Sequence, residues 1–296
     1  MKKNLGSVWV GSAVVAVAAL SSLQGGLAQD RTGWPQSLTL ATVPVEGSQD
    51  ATERFKPFVT YLEKTLGLKV TFRNGADYAA VIVAQAAKQV DIAYYGPGSY
   101  LDAEDRANAE AFAVENSIKN GAGYFSLIIS KAGSPIKTMA DAKGQEFAFV
   151  DPASTSGFRV PMFSFCTDLK IEPEQYFKRV FFAGTHENVI VGVANGRIPL
   201  GATNDLSLNS AIEKGVVKSE KEFNIVYKSK LIPGSPVAYR KDLPATLKAA
   251  IKDAYLKFDD KKWLEDYSLK GYLATSPVDY QAFRQINSYK SSNCPK

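Results

Sequence analysis

Apolar and polar positions along the chain fall into two blocks that share one rhythm. Residues 37–43 alternate as a half-buried strand does; residues 51–66 then set Phe55, Phe58, Val59, Leu62 and Leu66 at helical spacing and stop at Gly67. A strand over 68–72, an alanine-rich helix over 78–89 and a strand over 90–94 complete a βαβαβ unit, which predicts a parallel sheet. After a bridging strand at 124–131 the rhythm returns as strand 146–150, a helix from about 157 to 169, strand 179–182, helix 186–195 and strand 198–203. Residues 227–239, broken by Pro233-Gly234, lead back to the first block, which helical stretches at 243–258 and 277–289 complete. The expected fold is α/β, with two α/β lobes joined by a two-crossing hinge. The first lobe covers 29–129 and 229–296, the second 130–228. A ligand belongs between them, where loops leave the carboxyl ends of the strands.

The first residues change the domain count. Lys2 and Lys3 precede an apolar stretch over 8–20, and Gly26-Leu27-Ala28 supplies small residues at a cleavage position, which predicts a secretory signal peptide over 1–28; a membrane anchor is the alternative. No later stretch is long and apolar enough to span a bilayer, so the expected compartment is the periplasm. Neither Cys166 nor Cys294 lies near the cleavage position, so the lipid-bearing cysteine of a lipoprotein is absent. The two cysteines are far apart in sequence, and a disulfide and two free thiols both remain open. Formal charge is +5 and falls by two, to +3, once Lys2 and Lys3 leave. That small excess mildly favours anions, and without a basic cluster it argues against a nucleic-acid surface. The lysine-rich stretch 214–221 and the run Asp259-Asp260-Lys261-Lys262 read as solvated faces.

The candidate chemistry centres on Asp151-Pro152-Ala153-Ser154-Thr155-Ser156-Gly157-Phe158-Arg159-Val160-Pro161, between an apolar strand and a helix. Capping alone explains one hydroxyl there; three together at a helix start, with unpaired N–H groups and the positive dipole end, suit a small tetrahedral oxyanion. The stretch lacks the Gly-x-x-x-x-Gly-Lys frame of a nucleotide-binding loop. His186, the sole histidine, opens a helix after Ala183-Gly184-Thr185 and could donate to the same anion; a structural histidine is the alternative. One histidine and two remote cysteines give no zinc spacing, and no Gly-x-Ser-x-Gly turn is present, so hydrolase chemistry has little support. Tyr78, Tyr94, Tyr95 and Tyr124 fall at predicted strand ends or helix starts, where rigid phenols could complete an oxyanion cage.

Several short motifs together are specific: Ala76-Asp77-Tyr78-Ala79, Val90-Asp91-Ile92-Ala93-Tyr94-Tyr95-Gly96, Asp105-Arg106-Ala107-Asn108, Gly123-Tyr124, the stretch 151–161, Ala183-Gly184-Thr185-His186-Glu187, Ala202-Thr203-Asn204 and Leu231-Ile232-Pro233-Gly234-Ser235-Pro236. With these the chain resembles, over most of its mature length, the phosphonate-binding periplasmic proteins of bacterial ABC importers, including their phosphite-binding relatives. The resemblance implies a type II periplasmic binding fold that closes on a phosphorus oxyanion and presents it to an inner-membrane permease, with no reaction and no cofactor or metal. It also implies oxyanion contacts from Tyr78, Tyr124, Ser154, Thr155, Ser156 and His186. Relatives that take aminoalkylphosphonates place two carboxylates around the ammonium; those positions align with Ser207 and Ser235 here, with Asp205 near enough in sequence to substitute for one. A buried ammonium without a countercharge costs several kcal/mol, on the order of what hydroxyls cannot return. The expected ligand is therefore phosphite or a small phosphonate such as methylphosphonate. Inorganic phosphate and an aminoalkylphosphonate are the nearer rivals, a phosphoester or phosphonate hydrolase the remoter one. The protein is expected to act as a monomer.

Overall fold

The computed structural model describes residues 30–45, 47–289 and Cys294; the predicted signal peptide lies outside these residues. In chain order the first part consists of β1 (Ser37–Thr42), α1 (Ser48–Leu66), β2 (Lys69–Asn74), α2 (Tyr78–Ala86), β3 (Ile92–Tyr94), α3 (Pro97–Ala107) and β4 (Ala109–Ser117). A two-residue strand, β5 (Gly123–Tyr124), leads to β6 (Ser126–Lys131), β7 (Glu146–Phe149), α4 (Val160–Ser164), α5 (Pro173–Tyr176), β8 (Arg179–Phe182), α6 (His186–Ala194), β9 (Leu200–Asn204), α7 (Asp205–Glu213) and β10 (Phe223–Lys228). The chain returns through β11 (Ile232–Pro233) to β12 (Pro236–Arg240), α8 (Ala245–Leu256), α9 (Lys261–Asp266), β13 (Leu269–Ala274) and α10 (Arg284–Asn287).

These strands build two lobes. One sheet runs β13-β4-β12-β3-β1-β2, the other β10-β6-β9-β7-β8, and β5 pairs with β11 in a ribbon of its own. The βαβαβ unit gives the parallel pairs β1–β2 and β1–β3, as right-handed crossovers require. The sheet is nevertheless mixed: β12 runs antiparallel to both β3 and β4, because the returning chain re-enters from the other lobe. In the second sheet β7 is parallel to β8 and β9, while β6 is antiparallel to β9 and β10. The ribbon holds Tyr124 opposite Ile232, so both chain crossings pass through one small antiparallel pair.

Each sheet is closed by helices whose apolar stripes face it. Phe58 of α1 packs against Tyr255 and Phe258 and stacks on Trp263, at ring-centroid separations of 4.9, 4.7 and 5.7 Å, which anchors the C-terminal helices to the first sheet. Phe147, Phe149, Phe158 and Phe165 do the same for the second. The cysteines are joined: Cys166 and Cys294 form a disulfide with Cα atoms 5.2 Å apart. The C-terminal segment thus leaves the first lobe, where α10 packs on α3, sets Tyr289 on Phe163 and is bonded to the second.

Two departures from the pattern have physical causes. The first two turns of α3 show no apolar stripe because Pro97 through Ala103 are all buried, the polar Ser99 and Asp102 included. The helix expected from about 157 starts instead as a wide turn over Thr155–Arg159, in which Arg159 N donates to Ser154 O and Val160 N to Thr155 O, five residues back. Pro161 has no N–H to offer Gly157 O, which accepts instead from Val150 N at 3.1 Å.

Candidate functional site

Helices α2, α3, α6 and α7 and the wide turn each follow a strand end, and all begin around one cavity of about 150 Å³. The Asp77 side chain caps α2, accepting from Ala80 N at 2.6 Å, and sets Tyr78 at its first position. Thr185 caps α6 in the same way and sets His186 first; Asn204 caps α7. Tyr78, His186 and Asn204 border the cavity, together with Gly96 at the start of α3. Positive dipole ends therefore gather around one cavity from both lobes, which suits an anion, and Arg54, Lys119 and Lys214 also border it.

The wide turn supplies the hydroxyls. Ser154 Oγ accepts from Gly157 N at 3.0 Å, closing the turn on itself. Gly157 is required there, since a Cβ would lie 2.4 Å from the Val150 side chain. Thr155 Oγ1 accepts from Gly98 N at 2.9 Å, and Ser156 Oγ accepts from Asn204 Nδ2 at 3.2 Å. All three oxygens are thus fixed by a donor. Asp151 anchors the turn from below: its carboxylate accepts from Ala153 N at 2.7 Å and from the Tyr78 backbone N–H of the opposite lobe, and burial raises its pKa.

His186 faces this turn. Its Nε2 lies 3.4 Å from Ser154 Oγ, its Nδ1 3.1 Å from Thr203 Oγ1, and Asn204 Nδ2 is 3.3 Å from both ring nitrogens. Burial pulls its pKa down to about 3, so the ring is neutral at ordinary pH. Tyr78 hydrogen-bonds with Ser154, and Tyr124 with Thr155, Ser156 and Ser235; burial pushes both phenols up, so both remain protonated donors. Tyr78, Tyr124, Ser154, Thr155, Ser156 and His186 are each no more than 3% exposed, so any contact they make with a ligand is desolvated.

The remaining sequence candidates divide. Ser207 and Ser235 border the same cavity. Tyr94 and Tyr95 border it too, but the Tyr94 hydroxyl is 2.6 Å from that of Tyr272 and the Tyr95 hydroxyl donates to Gln85 Oε1 at 2.9 Å. Asp205 lies outside the lining: one carboxylate oxygen accepts from Asn120 Nδ2 at 2.6 Å, the other from Phe125 N at 2.9 Å beside the first crossing. Asn204 enters the sequence reading only within the Ala202-Thr203-Asn204 motif and is given no contact there, although an Asn between a strand and an amphipathic run is the same capping signature that marks Ser154. Farther along the wall, Glu115 faces Arg54 at 3.9 Å, and burial raises its pKa. Among the described residues no group of three or more His, Cys, Asp or Glu is arranged to hold a metal.

Known proteins resemble the chain in sequence and fold. Residues 40–280 match the family described as ABC transporter, phosphonate, periplasmic substrate-binding protein. The chain is 33% identical to the phosphonates-binding periplasmic protein of Escherichia coli, over 86% of this chain and 77% of that one. It is 29% identical to the phosphate-import protein PhnD of Mycolicibacterium smegmatis, over 94% of each. Among solved structures, a binding protein component of an ABC phosphonate transporter from Pseudomonas aeruginosa superposes with a TM-score of 0.80 at 28% identity, over 86% of both chains. PhnD1 of Prochlorococcus marinus, in complex with methylphosphonate, does so at 0.76 and 20% identity, over 86% of this chain and 98% of that one, a likeness of fold. The two lobes with their two-crossing hinge are the type II periplasmic binding fold. With four helix starts and a hydroxyl-bearing turn gathered on one cavity, the chain belongs to the phosphonate-binding periplasmic substrate-binding proteins of ABC transporters, a family of transport proteins and not of enzymes.

Proposed function

We propose that this protein captures phosphite or a small phosphonate such as methylphosphonate between its lobes and delivers it to the permease of an ABC importer. The observation that supports the reading most is the set of donors at Tyr78, Tyr124, Ser154, Thr155, Ser156 and His186, all neutral, buried and bordering one cavity. A desolvated oxyanion turns such groups into charge-assisted donors, each worth roughly 1.5–3 kcal/mol. One water needs about 10–15 Å³, so a cavity of about 150 Å³ admits the few heavy atoms of methylphosphonate and leaves space for bridging waters.

Ser207 and Ser235 offer no countercharge to an amine and Asp205 is turned to Asn120 and Phe125; of the carboxylates that border the cavity, Glu115 faces Arg54, Glu213 accepts from Ser268 Oγ, and Glu187 follows His186 on α6. An ammonium placed against the two serines would go unanswered, which disfavours an aminoalkylphosphonate in that pose. Inorganic phosphate is the second reading, favoured by the name of the Mycolicibacterium relative. A hydrolase would need a base beside Ser154, but His186 has a pKa of about 3 and a threonine hydroxyl, not a carboxylate, at its Nδ1. The lobe boundaries we place at the β5–β11 ribbon, the mature protein free in the periplasm, and its working form as a monomer.

Calorimetric titration with phosphite, methylphosphonate, phosphate and 2-aminoethylphosphonate, with released phosphate followed in parallel, tests the reading. Tightest binding of phosphite or methylphosphonate, with no phosphate released, is expected. Tightest binding of phosphate or of the aminated ligand would overturn the ligand assignment, and turnover would overturn the transport role.

A further inference from the structure

Arg159 is 1% exposed, and its charge is met from across the cleft. Its backbone belongs to the anion-binding turn: its N–H donates to Ser154 O at 3.1 Å and its Nε to Pro152 O at 3.4 Å. Its two outer nitrogens reach the other lobe, where Nη2 pairs with Asp102 of α3 and Nη1 donates to Asn287 Oδ1 of α10. Asn287 Nδ2 in turn donates to Asp102 Oδ1 at 3.3 Å, so the three side chains close a ring. Gly98, four residues before Asp102, lies directly against this contact. A Cβ there would stand 2.9 Å from Arg159 Cδ and 3.0 Å from Asn287 Oδ1, and the Gly98 N–H is the donor to Thr155 Oγ1.

We propose that Arg159, Asp102 and Asn287 form an interlobe latch, with Arg159 as a positioning residue that couples the anion-binding turn to closure of the lobes. Apart, the guanidinium and carboxylate are hydrated; together, they are desolvated and each is the other's countercharge. Neutralising Asp102 alone leaves a buried cation unmatched in the closed form only, so it penalises closure and not the folding of either lobe. Replacing both groups by apolar residues of similar volume removes the penalty. A binding-competent form that is less populated lowers the apparent affinity by the same factor. The latch therefore acts on how long the ligand stays more than on how fast it arrives.

The proposal rests on the anion-site reading only for its choice of ligand, and one arm of the test uses none. Small-angle scattering of the ligand-free protein should show a larger radius of gyration for Asp102→Asn than for the parent, with Arg159→Met/Asp102→Leu returning to the parent value. With methylphosphonate as probe, Asp102→Asn should raise the dissociation rate about tenfold or more while the association rate changes less than about threefold, and the double variant should recover most of the difference. If Asp102→Asn does not fold, Asn287→Ala keeps the ion pair and is read the same way, with a dissociation rate raised about threefold expected. An unchanged radius and an unchanged dissociation rate overturn the latch, as does a double variant worse than the single one. Failure of methylphosphonate to bind the parent would instead count against the ligand reading, and the scattering arm would still decide the latch.

Discussion

Ser154 Oγ and His186 Nε2 stand 3.4 Å apart, the cap of the wide turn against the first residue of α6. Neither carries a formal charge, since burial holds the imidazole neutral. An anion held between them would be met there by hydrogen-bond donors and helix dipoles, which are sensitive to geometry at the scale of a few tenths of an ångström.

Replacing Ser154, Thr155 or Ser156 by Ala should weaken ligand binding by about 1.5–3 kcal/mol each, the value of a hydrogen bond to a charged partner. Ser154→Ala should also lower stability by about 1 kcal/mol through loss of the bond to Gly157 N. Titration calorimetry with thermal melts separates the two effects. A triple alanine variant that binds like the parent would place the site elsewhere.

Stability should fall with pH through His186. Its folded pKa of about 3 lies below the ordinary 6.5, so between these values the unfolded chain holds more protons. The contribution is fully present above pH 6.5 and is lost as pH falls toward 3, at a slope approaching about 1.4 kcal/mol per unit. Urea unfolding at pH 7, 6, 5 and 4 should show His186→Gln with a shallower decline than the parent. Parallel curves would mean that the ring is already protonated or exposed.

Ligand preference should reverse when charge is added at the two serines bordering the cavity. The parent should prefer methylphosphonate to 2-aminoethylphosphonate by more than about tenfold, or about 1.4 kcal/mol. Ser207→Glu with Ser235→Asp should strengthen the aminated ligand through new ion pairs and weaken the small anions by repulsion. Competition titrations read both, and a parent that already prefers the amine would refute the argument.

Loss of the Cys166–Cys294 bond, by reduction or by paired serine substitution, should cost about 4–5 kcal/mol of stability, because the bond closes a separation of 128 residues in the unfolded chain. Melts with and without reductant measure this. Equal melting temperatures would contradict it.

The chain made the strand–helix rhythm of both lobes readable because those elements expose one face and bury the other, as α1 does with Phe55, Phe58 and Leu62. α3 was hidden because Gly96-Pro97-Gly98 reads as a turn and the helix is buried on most sides. The small residues of β4, Ala109, Ala111 and Ala113, hid that strand for a related reason: they pack under neighbours without an alternation of large side chains. In the site, the hydroxyl cluster was visible because capping chemistry is local. The ring of Arg159, Asp102 and Asn287 was not, since its members are separated by as many as 185 positions and meet only when the lobes do. The pairing of the cysteines is hidden for the same reason.

The bond between Cys166 and Cys294 also makes a covalent ring of everything between them, a ring that starts in one lobe, passes through the β5–β11 ribbon into the other and comes back. A protease that cuts once within that stretch, for example at the exposed Leu231 beside the ribbon, opens the ring without dividing the molecule. Both lobes then stay held together in one covalent piece, so a nicked protein in an oxidising compartment can keep its cleft assembled, and only reduction separates the halves.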